Sequence, residues 1–261
     1  AVEGPLAELV DYCGSVLPAA LRDTRTASQA FRTIFRDGRL ERAMADRRAP
    51  YSNMDATVKV AARLVERLAR DRPGLDVLEV GAGTLTFTQH LVESLRTGSM
   101  RYVISDINPV YVDEARVRCQ ALGMPACVTT EVLDIERADF TGGRHFDVIV
   151  ALNVLHVCRD IDHALRQVRE ALNPGGYLIV IESVRSDPWR NLVWGLADGW
   201  WRFADRRRSV SPLADVATWN AAMDDLRPGT SITLGGGNDD TAMFVGQFAA
   251  SLPVSGRVPR A

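Results

Sequence analysis

The chain has 261 residues and a formal net charge of −2 at pH 7. That length suits one large domain, or a core domain with a helical attachment, and a core of this size buries most of its apolar surface. The near-neutral charge excludes a global basic field for nucleic-acid phosphates. No apolar run is long enough to span a bilayer, so neither nucleic acid nor membrane is expected as a partner. Cys13, Cys119, Cys127 and Cys158 show neither CxxC pairing nor metal-ligand spacing with histidine. They read as reduced thiols of a cytoplasmic protein, and no secretory signal pattern is present. The chain opens at Ala1 without a methionine, which reads as a processed product or as a domain cut from a larger polypeptide.

Residues 1–70 are expected to form a helical lid subdomain. Leu6, Leu9, Val10, Cys13, Val16 and Leu17 recur at helical spacing before Pro18 interrupts. A second helix holds Phe31, Ile34 and Phe35 and stops at Gly38. After Pro50 and Tyr51, a long amphipathic helix from about Ser52 to Arg70 presents Val58, Val60, Ala61, Leu64, Val65 and Leu68 to a sheet.

Residues 71–252 alternate strand and helix. Strands are expected at Val77–Val80, Tyr102–Ile104, Ala126–Val132, Phe146–Leu152 and Tyr177–Ile181. Helices are expected around Phe87–Leu95, Pro109–Leu122 and Ile161–Leu172. The fourth strand is nearly all apolar, as a strand buried on both faces should be. Such alternation implies a doubly wound parallel sheet, with ligands at the carboxyl ends of its strands. An aromatic insertion near residues 186–212 carries Trp189, Trp194, Trp200, Trp201 and Phe203. It also carries Arg206, Arg207 and Arg208, read first as a solvated loop and second as a docking point for an acidic partner or a phosphate. Two closing strands, Ser231–Leu234 and Met243–Ala249, precede a tail at residues 253–261.

The first strand runs into the turn Gly81-Ala82-Gly83, where absent side chains let the backbone approach a ligand. Thr86 stands where a nicotinamide or flavin fingerprint has its third glycine. Asp106 ends the second strand at the spacing where an acid meets ribose hydroxyls. Asp134 ends the third, placed to accept from an adenine amino group, and Asn153 ends the fourth. Together these groups line one crevice.

Leu78-Glu79-Val80-Gly81-Ala82-Gly83-Thr84, Ser105-Asp106-Ile107, Leu133-Asp134-Ile135-Glu136 and Leu172-Asn173-Pro174-Gly175-Gly176 resemble the ordered motifs of class I S-adenosylmethionine-dependent methyltransferases. The resemblance covers about Asp76 to Glu182. It implies a Rossmann-like seven-stranded sheet whose last strand is antiparallel. It also implies S-adenosylmethionine as cofactor and S-adenosylhomocysteine as product. Glu79, Gly81, Gly83, Asp106, Asp134 and Asn153 then form the cofactor set, the two glycines passing under the methionine part. No metal is expected.

His156 follows the fourth strand, where class I enzymes place the methyl acceptor. Glu182 closes the neighbouring fifth strand and can orient the imidazole and raise its basicity. His156 is therefore a candidate general base and Glu182 its orienter. Asn153-Val154-Leu155-His156, Ile181-Glu182 and Gly199-Trp200-Trp201-Arg202-Phe203 resemble the methyltransferase domains of modular polyketide synthases. That narrower resemblance implies an acyl thioester on the phosphopantetheine arm of an acyl carrier protein, and neighbouring synthase domains as partners. Tyr51 and Trp200 are the candidates for contacts near the acceptor, the alternative being that the tryptophans are only core. Carbon methylation of a β-ketoacyl chain is the first reading, because a carbon between ketone and thioester is acidic enough for histidine. Leu85-Thr86-Phe87 stands where many carbon-methylating members carry a second Gly-Gly pair. Oxygen methylation of a β-hydroxyl or enol thus stays open, as does an inactive, structural domain.

Overall fold

A computed structural model describes residues 4–45, 53–237 and 239–249. The chain opens with α1 (Pro5–Ala20), α2 (Thr24–Arg36), α3 (Arg39–Ala45) and α4 (Met54–Asp71). The alternating part follows as β1 (Leu75–Val80), α5 (Val92–Arg96), β2 (Met100–Asp106), α6 (Pro109–Ala121) and β3 (Val128–Val132). It continues with β4 (Phe146–Leu152), α7 (Ile161–Glu170) and β5 (Leu172–Ser183). Then come α8 (Pro188–Trp194), α9 (Val216–Asp225), β6 (Thr230–Leu234) and β7 (Thr241–Gln247).

The seven strands form one sheet in the order β3-β2-β1-β4-β5-β7-β6. β1 to β5 pair in parallel, and β7 runs antiparallel to both β5 and β6. This is the Rossmann-like sheet expected from the motifs. The strand order reverses between β1 and β4, so their following loops part there and open a crevice.

Alternation along the buried strands builds two cores. Leu78, Val80, Ile149, Ala151, Leu178, Val180 and Phe244 pack with α7 and α9 through Leu165 and Trp219. Val77, Val148, Val150, Ile179 and Ile181 pack on the other face against Val58, Ala61 and Val65 of α4. A third cluster joins Leu9, Cys13 and Ile34 of the N-terminal helices to Val193 and Leu196 at α8.

Three local departures from the sequence reading stand out. Pro18 does not interrupt α1, which runs to Ala20. The single intrahelical bond lost is the one to Gly14, and it falls in the last turn. The helix expected over Phe87–Leu95 is broken. Leu85, ahead of that span, takes a left-handed conformation at φ 67°, so no regular helix runs through it from the glycine turn. A single 3-10 turn at Thr88–His90 and the short α5 follow instead. β5 begins earlier than expected, at Leu172, because Phe146 pairs with Leu172 while Val148 pairs with Tyr177. Residues 173–176 form the bulge between those pairs.

Asn53 ties the start of α4 to the sheet. Its side chain does not cap the helix. Instead Nδ2 donates to the Thr241 carbonyl at 2.7 Å, and Oδ1 accepts from the Thr241 N–H at 3.2 Å. Thr241 is fully buried, so removing the amide leaves two backbone groups without partners. Asn53→Ala is expected to cost about 1–3 kcal/mol, read as a lower midpoint in denaturant unfolding.

Candidate active site

Gly81 and Gly83 have φ 63° and 49°, so the turn after β1 requires the left-handed region. A Cβ on Gly81 would lie 1.9 Å from Val154 Cγ2. The β1 turn and the β4 turn therefore touch, and glycine is what lets them. The Gly83 N–H donates to Asp106 Oδ2 at 3.0 Å, and the Asn108 N–H donates to Oδ1 at 2.8 Å. Each carboxylate oxygen keeps a second lone pair for a ligand. Asp134 Oδ1 similarly accepts from the Glu136 N–H at 3.0 Å.

These strand ends open onto one cavity of about 790 Å³. Gly81, Thr84, Asp106, Asp134, Asn153 and His156 line it, together with the apolar Ile107, Leu133 and Ile135. That volume lies in the range of small-molecule sites. Asn153 sits at φ 51°, a conformation asparagine tolerates better than most side chains. Its Oδ1 accepts from the Ser183 N–H at 2.8 Å, bracing the end of β4 against the end of β5.

His156 lines this cavity, whereas Glu182 does not reach it and meets the imidazole from behind. Glu182 has no exposed surface and His156 very little. Glu182 Oε2 lies 2.6 Å from His156 Nδ1. Its Oε1 accepts from three successive backbone N–H groups, Val154 at 3.2 Å, Leu155 at 2.8 Å and His156 at 3.3 Å. Such a nest of donors satisfies the lone pairs of a buried carboxylate. An ionised partner assigns the proton to Nδ1 and leaves the lone pair on Nε2. The Trp200 ring meets the imidazole edge-on, with centroids 5.5 Å apart at 73°. Trp194 stacks on Trp200 at 6.3 Å, and the Trp200 indole N–H donates to Asn191 Oδ1 at 3.2 Å. Cys158 also lines the cavity. Burial first, then the carboxylates of Glu136 and Glu182, push its thiol up, so it is no nucleophile at neutral pH. Among the described residues, no three His, Cys, Asp or Glu side chains converge as metal ligands would.

Residues 78–178 match the methyltransferase domain family. The fold is similar to the DszA carbon methyltransferase (TM-score 0.79, 22% identity) over 94% of this chain and 66% of that one. It is also similar to the citrinin polyketide synthase CMeT domain (TM-score 0.65, 25% identity) over 74% of this chain and 52% of that one. The chain belongs to the S-adenosylmethionine-dependent methyltransferases. This methyltransferase is 39% identical to the non-reducing polyketide synthase dpmpA of Macrophomina phaseolina, over 66% of its own length and 8% of that protein. It is 37% identical to the highly reducing polyketide synthase cm3B of Cordyceps militaris, over 60% of its length and 6% of that protein. It thus spans less than a tenth of the curated relatives it matches.

Not every residue singled out in the sequence reaches the cavity of the methyltransferase. Gly83 turns away and lines a shallower groove with Thr84, Leu85 and Arg118; its amide instead holds Asp106. Tyr51 lies outside the described residues. Arg207 and Arg208 are not a solvated run. Arg207 pairs with Asp162 and Asp225, and Arg208 is buried against Asp205, leaving Arg206 as the exposed member. Conversely, Phe31, Met54, Arg190, Trp194 and Leu213 line the cavity without having been marked as site residues. Trp194 alone carried a signal, as part of the aromatic insertion.

Glu79 is the clearest correction. It does not line the cavity but lies beneath the glycine turn, almost wholly buried. On β1 it shares the inward face of Val77, toward Thr88 and Tyr102. The Thr88 hydroxyl donates to Oε2, and so does the Tyr102 hydroxyl at 2.7 Å. Burial outweighs these bonds and pushes the carboxyl up from 4.5 to about 7. Between those values the folded chain holds a proton that the unfolded chain has lost, so stability falls as pH rises from about 4.5 to about 7. Glu79→Gln, which cannot ionise, lacks this slope. Unfolding free energies at pH 5 and pH 8 should show wild type losing about 3 kcal/mol relative to Glu79→Gln.

Proposed function

We propose that this domain methylates the α-carbon of a β-ketoacyl thioester presented by an acyl carrier protein, with His156 as general base and Glu182 as its orienter. The observation that carries the reading is the 2.6 Å contact between buried Glu182 and Nδ1 of His156, whose ring lines the same cavity as Gly81, Asp106, Asp134 and Asn153. Its support is chemical. Nε2 is left as the basic nitrogen, and the acid holds the ring in the tautomer that a base requires.

The residues fit S-adenosylmethionine. Gly81, at φ 63°, turns the backbone after β1 along the cavity wall. Asp106 keeps two acceptor lone pairs for a ribose diol, Asp134 offers an acceptor for the adenine amino group, and Ile107, Leu133 and Ile135 offer apolar walls for its flat ring. When bound, the cofactor supplies an electrophilic methyl group on its sulfonium. The chain supplies the proton transfer. Nε2 of His156 takes the α-proton, Glu182 stabilises the resulting imidazolium through Nδ1–H, and the substrate is left as an enolate nucleophilic at the α-carbon. The proton on Nε2 then leaves to solvent and the base is restored.

Carbon is preferred over oxygen as acceptor. A β-dicarbonyl proton suits a histidine base, whereas a β-hydroxyl is far less acidic. The relatives named polyketide synthases and the neighbours named carbon methyltransferases support the same choice. As a part of such a synthase, the domain would work beside other domains of the same polypeptide. Its four cysteines are unpaired, which suits the cytoplasm.

General base catalysis contributes about 10²–10⁴-fold. His156→Ala is therefore expected to lose turnover on carrier-bound β-ketoacyl substrate by about that factor, with cofactor affinity retained by calorimetry. Fragmentation mass spectrometry of the wild-type product should place the methyl on the α-carbon. A methyl on oxygen would replace this reading with the alternative chemistry. No methyl transfer at all, with cofactor bound, would mark a structural domain.

A further inference from the structure

We propose that Arg208 is the positioning residue for His156, holding the turn that carries the base by its carbonyl oxygens. The inference rests on His156 acting as base. Arg208 belongs to the aromatic segment, far from the base in sequence, yet its side chain is 1% exposed. Its guanidinium is fully used. Nε and Nη2 donate to Asp205 Oδ2 at 2.8 and 2.5 Å. Nη1 donates to the His156 carbonyl and, at 3.3 Å, to that of Pro212. Nη2 also donates to the Cys158 carbonyl at 2.7 Å and to that of Arg159 at 3.4 Å.

Asp205 is anchored in turn. Its Oδ2 accepts from the Ile161 N–H at 3.1 Å, and its Oδ1 from the Arg207 and Arg208 N–H groups at 3.0 Å each. The Ala204 N–H donates to the Arg159 carbonyl at 2.7 Å. The turn at 154–159 is thus held from two sides. Glu182, an anion, takes its N–H groups; Arg208, a cation, takes its C=O groups. Both charges match the local peptide dipoles. Glu182 alone fixes one ring nitrogen and the entry of the turn, and Arg208 fixes the exit.

Lysine separates this role from simple charge. Its single ammonium can keep the pair with Asp205 but lacks the planar fork that spans His156 and Cys158. Small misplacements of a catalytic group cost up to about 10²-fold. Arg208→Lys is therefore expected to lower kcat about tenfold, with KM for the acyl thioester and cofactor affinity unchanged. Amide hydrogen exchange over residues 154–159 should quicken. In a His156→Ala background the same substitution should have no further effect on turnover, because there is no base left to position.

Wild-type kcat for Arg208→Lys, with His156→Ala inactive, would overturn the inference and leave the base assignment standing. An equal loss in both backgrounds would also overturn it, as the mark of a structural role. Wild-type turnover of His156→Ala would instead overturn the base assignment, and this inference with it. Should Arg208→Lys not fold, Asp205→Asn keeps the arginine and loosens its anchor. Faster exchange at 154–159 with lower kcat is then expected, and wild-type values for both would overturn the proposal.

Discussion

The site depends on a carboxylate with no exposed surface, Glu182 at the end of β5. An ionised acid taken out of water costs several kcal/mol unless it is paired and hydrogen-bonded. Here three backbone N–H groups and one imidazole nitrogen surround it. Those donors come from a single short turn after β4. The acid can therefore be buried only if that turn folds around it, and the turn can place His156 only if the acid is there. β5 supplies the rigidity, since it pairs with β4 on one side and β7 on the other. The tight pass of Gly81 beside Val154 then locks the glycine turn after β1 to the same point.

The cavity draws on three parts of the chain. Strand ends supply Asp106, Asp134, Asn153 and His156; the N-terminal helices supply Phe31 and Met54; the segment after β5 supplies Arg190, Trp194 and Trp200. The last two parts share one apolar cluster, in which Phe31 packs beside Trp194 at 5.8 Å. Movement of the N-terminal helices would thus be felt at the aromatic wall beside His156. The edge of Trp200 excludes water from one side of the imidazole while its indole N–H is satisfied by Asn191. His156 is in this way kept in an apolar setting, where a hydrogen-bonded acid partner acts most strongly.

Much of this was legible in the sequence because short-range rules govern it. Strand-loop-helix alternation and the glycine turn located the crevice. Asp106, Asp134 and Asn153 could be placed at strand ends by counting along apolar runs. His156 and Glu182 were legible for the same reason, as ends of neighbouring strands. Glu79 was misplaced although alternation held the answer: it is two residues from Val77, hence on the same inward face, and only the purely local glycine motif pointed outward. The helix after the turn is split into a 3-10 turn and the short α5, a break that no pattern of apolar spacing marks. The arginine run reads as solvated by composition. Its burial follows from Asp162, Asp205 and Asp225 and from the carbonyls of the β4 turn, partners that only the fold brings near. The contact between Trp200 and His156 is of the same long-range kind.

The central claim is that the chain itself removes a proton from the acceptor carbon. Deuterium uptake tests it without methyl transfer. A small β-ketoacyl thioester would be incubated in D₂O with the domain and S-adenosylhomocysteine, and its α-carbon followed by mass spectrometry against the uncatalysed exchange. The account expects wild type to accelerate uptake at that carbon and His156→Ala to leave it at the uncatalysed rate. Equal uptake with wild type, with the variant and without protein would contradict it.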